Sequence, residues 1–302
     1  MKHYNFDEII DRKGTSCVKY DGLKNAYQGK ENLIPLWVAD MDFATPDFIV
    51  EALKKRCEHP VFGYTFDDDE YYESIQTWLD YKYHWKTERE WISYIPGIVK
   101  GIGLAVQCFT QPGDKVIIQP PVYHPFRLVP TRMGREVVYN PLKLEDGVYK
   151  MDFEQLESLI DKDCKMLILS NPHNPGGVVW EKEALVKLAQ ICSAHGILVI
   201  SDEIHAEMTY PQFRHHPFAT VSEEAAACSV TFMAPSKTFN IAGIVSSYAL
   251  VPDTRIREKF YSFLEAGELN AGTIFAFTAT KAAYTYGAES VSYTHLTLPT
   301  KA

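Results

Sequence analysis

The chain has 302 residues, 46% of them hydrophobic and 23% charged, enough for one large domain with a smaller one beside it. A net charge of −9 without a long basic run argues against nucleic acid or an anionic membrane as partner, and leaves room for a small anionic ligand. Six cysteines (Cys17, Cys57, Cys108, Cys164, Cys192 and Cys228) are scattered without a C-x-x-C pair, so neither a disulfide framework nor a metal site is expected. The chain opens without an apolar signal core and has no apolar stretch of membrane-spanning length, which makes the cytoplasm the expected compartment.

Residues 1–35 read as a loop-rich arm, with turns at Asp21-Gly22 and Gly29-Lys30. Ile34 to Phe43 is a short apolar run ending in two carboxylates, Asp40 and Asp42. Thr45-Pro46-Asp47 opens a helix, with Thr45 as candidate N-cap and Pro46 at the first position; Phe48, Ile49, Ala52 and Leu53 share one side of it. Asp67, Asp68, Asp69 and Glu70 precede an amphipathic helix from about Tyr71 to Trp85, where four acids suit the helix dipole better than a metal.

Trp91–Ile95 reads as a short strand, and Pro96 to Gly103 turns the chain into a helix reaching about Phe109. A glycine turn feeding a helix start presents free N–H groups and a positive dipole end, which bind phosphate. The stretch is neither G-x-G-x-x-G nor a G-x-x-x-x-G-K-[ST] loop, and an ordinary strand-to-helix turn is the alternative. Lys115–Gln119 is a buried strand entering the proline-rich loop Pro120 to Phe126, where Tyr123 either stacks on a flat ring or packs in the loop. A polar segment from Asn140 to Lys165 holds a helix over about Asp152–Ile160.

Met166–Leu169 is a strand ending in Ser170-Asn171-Pro172-His173-Asn174-Pro175-Gly176-Gly177, a density of special backbone residues that points to function on a rigid scaffold. A helix over Glu181–His195 closes at Gly196, and the strand Ile197–Ile200 runs into Ser201-Asp202-Glu203-Ile204-His205. An aspartate at the tip of a buried strand needs a partner, either a cationic ring nitrogen or a helix start to cap. Cys228–Met233 is a further strand, followed by Ala234-Pro235-Ser236-Lys237-Thr238-Phe239-Asn240. Burial there lowers a lysine pKa and leaves a neutral amine able to attack a carbonyl, the chemistry of a Schiff-base lysine; a surface lysine in a turn is the alternative. A helical pattern then passes through Phe275, Ala279, Ala282 and Ala283.

Alternating strands and helices with nearly continuous apolar strands predict a three-layer α/β/α fold around a mostly parallel sheet. In such a sheet the strand ends carrying Gly97-Ile98-Val99, Tyr123, Asn174, Asp202 and Lys237 converge on one edge.

These stretches, with Pro35 to Phe43, Gly63-Tyr64 and Ser236 to Asn240, occur in an order that resembles the fold-type I pyridoxal-phosphate (PLP) enzymes of the class I/II aminotransferase superfamily. More narrowly they resemble the MalY/PatB-type cystathionine β-lyase branch, over about residues 1–289. The resemblance implies a PLP cofactor, a small amino-acid substrate and a homodimer. It implies Lys237 as the covalent anchor and catalytic base, Asp202 facing the ring nitrogen, Asn174 on the phenolic oxygen and Tyr123 on the ring face. The N–H groups of Ile98 and Val99 and the Ser236 hydroxyl would hold the phosphate, together with Tyr64 of the partner subunit. His205 stands where many aminotransferases have a tyrosine, as is common in the lyase branch.

The implied activity is carbon–sulfur β-elimination, releasing thiol, pyruvate and ammonia from cystathionine or a related cysteine S-conjugate. An aminotransferase on the same scaffold is the first alternative, and an inactive fragment or non-catalytic binding protein the second. A nucleotide-binding doubly wound protein is disfavoured by the absent G-x-G-x-x-G. Two departures stand out: His124 replaces a second tyrosine, and no phosphate-binding arginine follows in Ile241 to Ser247. The expected organisation is an arm with part of a small domain (1–45), a large PLP domain (46–289) and a tail unlike the family (290–302), with the C-terminal small domain and its carboxylate-binding arginine missing.

Overall fold

The computed structural model describes residues 5–30 and 33–291, so most of the expected tail lies outside the described residues. Two single-turn helices, α1 (Val18–Asp21) and α2 (Leu23–Ala26), interrupt the N-terminal arm. Helix α3 spans Asp47–Cys57 and buries Ile49, with Phe48, Ala52 and Leu53 packed beside it. Thr45 does not cap it. Pro46 takes the N-cap, and the Thr45 hydroxyl donates to the Asn240 carbonyl at 3.0 Å, an acceptor brought close only by folding. The acids before α4 (Asp69–Tyr83) do cap: Asp68 accepts from the Tyr71 N–H at 2.9 Å.

Among the described residues seven strands form the central sheet: β1 (Ile92–Ile95), β2 (Lys115–Ile118), β3 (Glu136–Tyr139), β6 (Cys164–Ser170), β7 (Leu198–Asp202), β8 (Ser229–Met233) and β9 (Ser247–Leu250). Their order is β1-β9-β8-β7-β6-β2-β3. Only β9 runs against the others, pairing antiparallel with both β1 and β8. Two antiparallel steps restore the direction, so β1 points the same way as β8 and delivers its C-terminal end to the shared edge. A separate hairpin, β4 (Lys143–Glu145) with β5 (Val148–Lys150), lies within the polar segment.

The sheet is covered on both faces, and the two-residue strand period sorts side chains between them. Along β6, Met166 and Ile168 pack on one face with Ile200 of β7 and with α5 (Ile98–Phe109) and α10 (Thr254–Glu265). Leu167 and Leu169 pack on the other with Val199 and with α7 (Phe153–Leu159), α8 (Lys182–Ala194) and α9 (Glu223–Ala227). Each fully buried aliphatic side chain contributes about 1.5–3 kcal/mol. Helix α6 (Pro125–Arg132) follows the proline-rich loop, and α11 (Ile274–Tyr286) packs with α3 and α4 in an aromatic cluster around Trp78 and Tyr284. Helix α5 lies close to the sheet because Gly101 lets it: a Cβ there would stand 2.6 Å from the Ile95 side chain.

Candidate active site

The strand ends open into one cleft of about 660 Å³. Asp202 closes β7 near the middle of the sheet, in register with Ser170 of β6 and Phe232 of β8. Eight of the nine residues singled out from sequence line this cleft: Ile98, Val99, Tyr123, Asn174, Asp202, His205, Ser236 and Lys237. The ninth, Tyr64, is fully exposed on the loop before α4 and takes no part in its own chain's cleft.

Each is placed by local structure. Gly97 adopts φ 105°, a backbone that other residues rarely reach, and swings the chain from β1 into α5. No side chain caps that helix start, so the N–H groups of Ile98 and Val99 face the cleft end without an intrahelical acceptor. The loops after β2 and β6 are laced together: the Tyr123 N–H donates to the Asn174 carbonyl at 3.0 Å, and the Asn174 N–H donates to the Ser170 hydroxyl at 3.0 Å. Val245, also lining the cleft, holds a left-handed backbone (φ 59°), unusual for a β-branched residue, and its carbonyl accepts from the Tyr94 hydroxyl at 3.0 Å.

The electrostatics separate the two central groups from their surroundings. Asp202 is buried and its side chain receives one hydrogen bond from the described residues, from the Ile204 N–H at 3.1 Å, and burial pushes its carboxyl up to about 7. Lys237 is half-buried, and its Nζ donates to the Ala39 carbonyl at 2.9 Å. Burial draws its pKa below the usual lysine value, with the charges of Asp40 and Asp202 pulling the other way. Lysine and aspartate therefore lie within electrostatic reach across the cleft. Burial also lowers His205, to about 4, with Lys237 adding to the effect, which leaves a neutral imidazole at neutral pH.

Sequence reasoning gave no role to the strap from Trp37 to Phe43, yet Trp37, Val38 and Ala39 line the cleft. The Asn240 side chain accepts from the Met41 N–H and donates to the Met41 and Phe43 carbonyls, at 2.8–3.0 Å. Arg12 clasps Asp40 at 2.7 and 3.1 Å and reaches Asp42 at 2.9 Å; Lys19 pairs with Asp42 at 2.7 Å. The two acids closing the apolar run were the visible signal. Glu207 was also missed: it is buried behind the lysine turn and accepts from Trp78 Nε1 at 2.9 Å and from the Thr238 hydroxyl at 3.1 Å.

The donor set fits a flat ligand with two different ends. An under-partnered buried carboxylate calls for a cationic ring nitrogen at one end. An uncapped helix start beside the Ser236 hydroxyl suits a phosphate at the other. An amine stands ready for a carbonyl between them.

Comparison with known proteins agrees. Residues 31–283 match the family "Aminotransferase class I and II". The chain belongs to that family. Among its class I and II relatives, the cystathionine β-lyase PatB of Bacillus subtilis (strain 168) is 45% identical over 284 residues, covering 94% of this chain and 73% of PatB. Cystalysin from Treponema denticola, whose crystal structure contains a pyridoxal 5′-phosphate cofactor, superposes with a TM-score of 0.93 at 35% identity, over 98% of this chain and 75% of cystalysin. The PLP-bound C–S lyase of Staphylococcus hominis superposes with a TM-score of 0.90 at 32% identity, over 98% and 74%. The fold is the three-layer, mostly parallel fold type I of these neighbours.

Proposed function

We propose that this chain is a PLP-dependent carbon–sulfur β-lyase that releases a thiol, pyruvate and ammonia from cystathionine or a related cysteine S-conjugate. The observation that carries the reading is the meeting of Lys237 and the buried Asp202 in one cleft, in a chain 45% identical to a cystathionine β-lyase. When bound, PLP would supply an electron sink for the charge left on the substrate Cα.

The chain's own residues would bind, orient and move protons. Lys237, whose neutral form burial favours, anchors the cofactor and then takes the Cα proton on its Nζ. Asp202 keeps the ring nitrogen protonated, since a facing cation is what allows this buried carboxylate to ionise. Asn174 holds the phenolic oxygen and Tyr123 covers the ring face; His205 stands on the phenolic-oxygen side as a neutral group. The N–H groups of Ile98 and Val99 and the Ser236 hydroxyl hold the phosphate.

Tyr64 of the partner subunit completes that phosphate site, so the proposed enzyme is a homodimer. The exposed apolar stretch Val61, Phe62, Tyr64 and Phe66 supports a covered face. The same proposal places the protein in the cytoplasm and divides it into an arm with part of a small domain (1–45) and a large PLP-binding domain (46–289). Among the described residues no helix is long and apolar enough to cross a membrane.

The test begins with the 302-residue chain incubated with PLP, reduced with borohydride and mapped by peptide mass. Label on Lys237, abolished in Lys237→Ala, is expected; label elsewhere refutes the anchor. Pyruvate from cystathionine without any keto acid is the expected activity. Turnover only with a keto-acid acceptor would make the protein an aminotransferase, and absence of a cofactor absorbance band would make it non-catalytic.

A further inference from the structure

We propose that the opposite edge of the sheet carries a second binding site, for an anionic group mounted on an apolar body, of the aryl phosphate or aryl carboxylate class. A cleft of about 470 Å³ opens there, where β6, β7 and β8 begin. That volume falls in the range of small-molecule pockets. Strand β7 separates it from the candidate active site: Leu198 lines one cleft and Asp202 the other, four residue steps or about 13 Å apart.

Two features of the lining define the ligand. The first is charge. Lys165 from β6 and Arg255 and Lys259 from α10 line the cleft, and among the described residues no carboxylate does, although the chain carries 39 acids against 30 bases. Arg255 and Lys259 are four residues apart on one helix face, where like charges repel. None of the three has an ion pair among the described residues: Lys165 donates to the Lys162 carbonyl at 2.6 Å, and the Lys259 ammonium lies 5.1 Å from the centre of the Phe109 ring. Glu224 flanks the cleft, and its charge helps burial to hold the Cys228 thiol protonated.

The second feature is the apolar floor. Phe109, Ile197, Leu198 and Ile256 line the same cleft as the three cations. Inorganic phosphate would satisfy the cations and leave this floor wet, whereas an aromatic body covers it. An anion seated there relieves the repulsion along α10 and replaces water over the floor.

The probes are 1-naphthyl phosphate and inorganic phosphate, titrated calorimetrically into the full chain, with acetic anhydride footprinting of lysines by mass spectrometry. Naphthyl phosphate is expected to bind about tenfold or more tightly than inorganic phosphate, and Arg255→Glu with Lys259→Glu is expected to lose about tenfold in affinity. In the unaltered chain the bound probe should protect Lys165 and Lys259 from acetylation and leave Lys54 and Lys55 reactive. Equal affinity for the two phosphates, unchanged binding in the double variant, or no protection of Lys165 and Lys259 would each overturn the proposal. The footprint also separates this site from the candidate active site, because a probe seated beside Lys237 would leave Lys165 and Lys259 as reactive as before.

Discussion

Asp202 and Glu203 are consecutive and both buried, and the fold treats them in opposite ways. Glu203 sits in a filled network. It accepts from the Ser201 hydroxyl at 2.7 Å, the Phe218 N–H at 2.8 Å and Asn171 Nδ2 at 3.5 Å, and its other oxygen lies 2.8 Å from His215 Nε2. Asp202 points into the cleft with a single backbone donor. A buried carboxylate ringed by donors joins elements of the fold; one left with a single donor is matched to something the chain does not itself provide. Burial alone therefore does not mark a functional acid, and the number of partners does.

The largest effect that would sharpen this contrast is Glu203→Ala. It leaves His215 Nε2, the Ser201 hydroxyl and the Phe218 N–H without that acceptor in a dry interior, at a cost of about 1–3 kcal/mol for each donor left unsatisfied. Urea unfolding at pH 7 measures it, and a loss below about 1 kcal/mol would place Glu203 on the same footing as a surface acid.

Next comes Asp202→Asn, read through pH. In the cofactor-free chain the native carboxyl keeps its proton up to about 7, while an unfolded aspartate releases it near 3.8. Between those values the native state binds more protons, so stability falls as pH rises from about 4 to 7. The displacement corresponds to at most about 4 kcal/mol. The asparagine variant should lose this slope and be the more stable protein at pH 8, while binding PLP more weakly. Equal slopes for both proteins in thermal melts across that window would refute the assignment. Saturation with PLP should likewise flatten the slope in the unaltered chain, because a cationic ring nitrogen lowers the Asp202 pKa.

How much of this was legible in sequence depended on whether the signal was local. The buried strands β2, β6, β7 and β8 announced themselves as apolar runs, and the loops at their ends carried the residues that line the cleft. The antiparallel β9 is hard to read locally even though Pro252-Asp253 follows it, because Ser247–Leu250 is only four residues long and its place and direction follow from pairing with β1 and β8. The edge strand β3 has exposed residues at both ends and gives no apolar run, and two prolines obscured α6. Thr45 satisfied every local rule for an N-cap, and an acceptor at Asn240 prevailed. The contact from Lys237 to Ala39 spans 198 residues, a separation at which one sequence offers no pattern to read.

Glu207 is the intermediate case and yields the smallest predicted effect. It is as buried as Glu203, with two side-chain donors, Trp78 Nε1 and the Thr238 hydroxyl, the latter on the residue after Lys237. Thr238→Val keeps the shape of the side chain and removes one donor, leaving Glu207 Oε2 short of a partner at a cost of about 1–2 kcal/mol. A Thr238→Ser variant retains the hydroxyl and should recover most of that loss. If Glu207 only supports the fold, both variants should bind PLP alike once their stability is matched by temperature. If it also sets the lysine turn, Thr238→Val should slow borohydride-trapped labelling of Lys237 and Thr238→Ser should restore it. Labelling that tracks the hydroxyl rather than the melting temperature would place Glu207 with Asp202, as a buried carboxylate whose work is done toward the cleft.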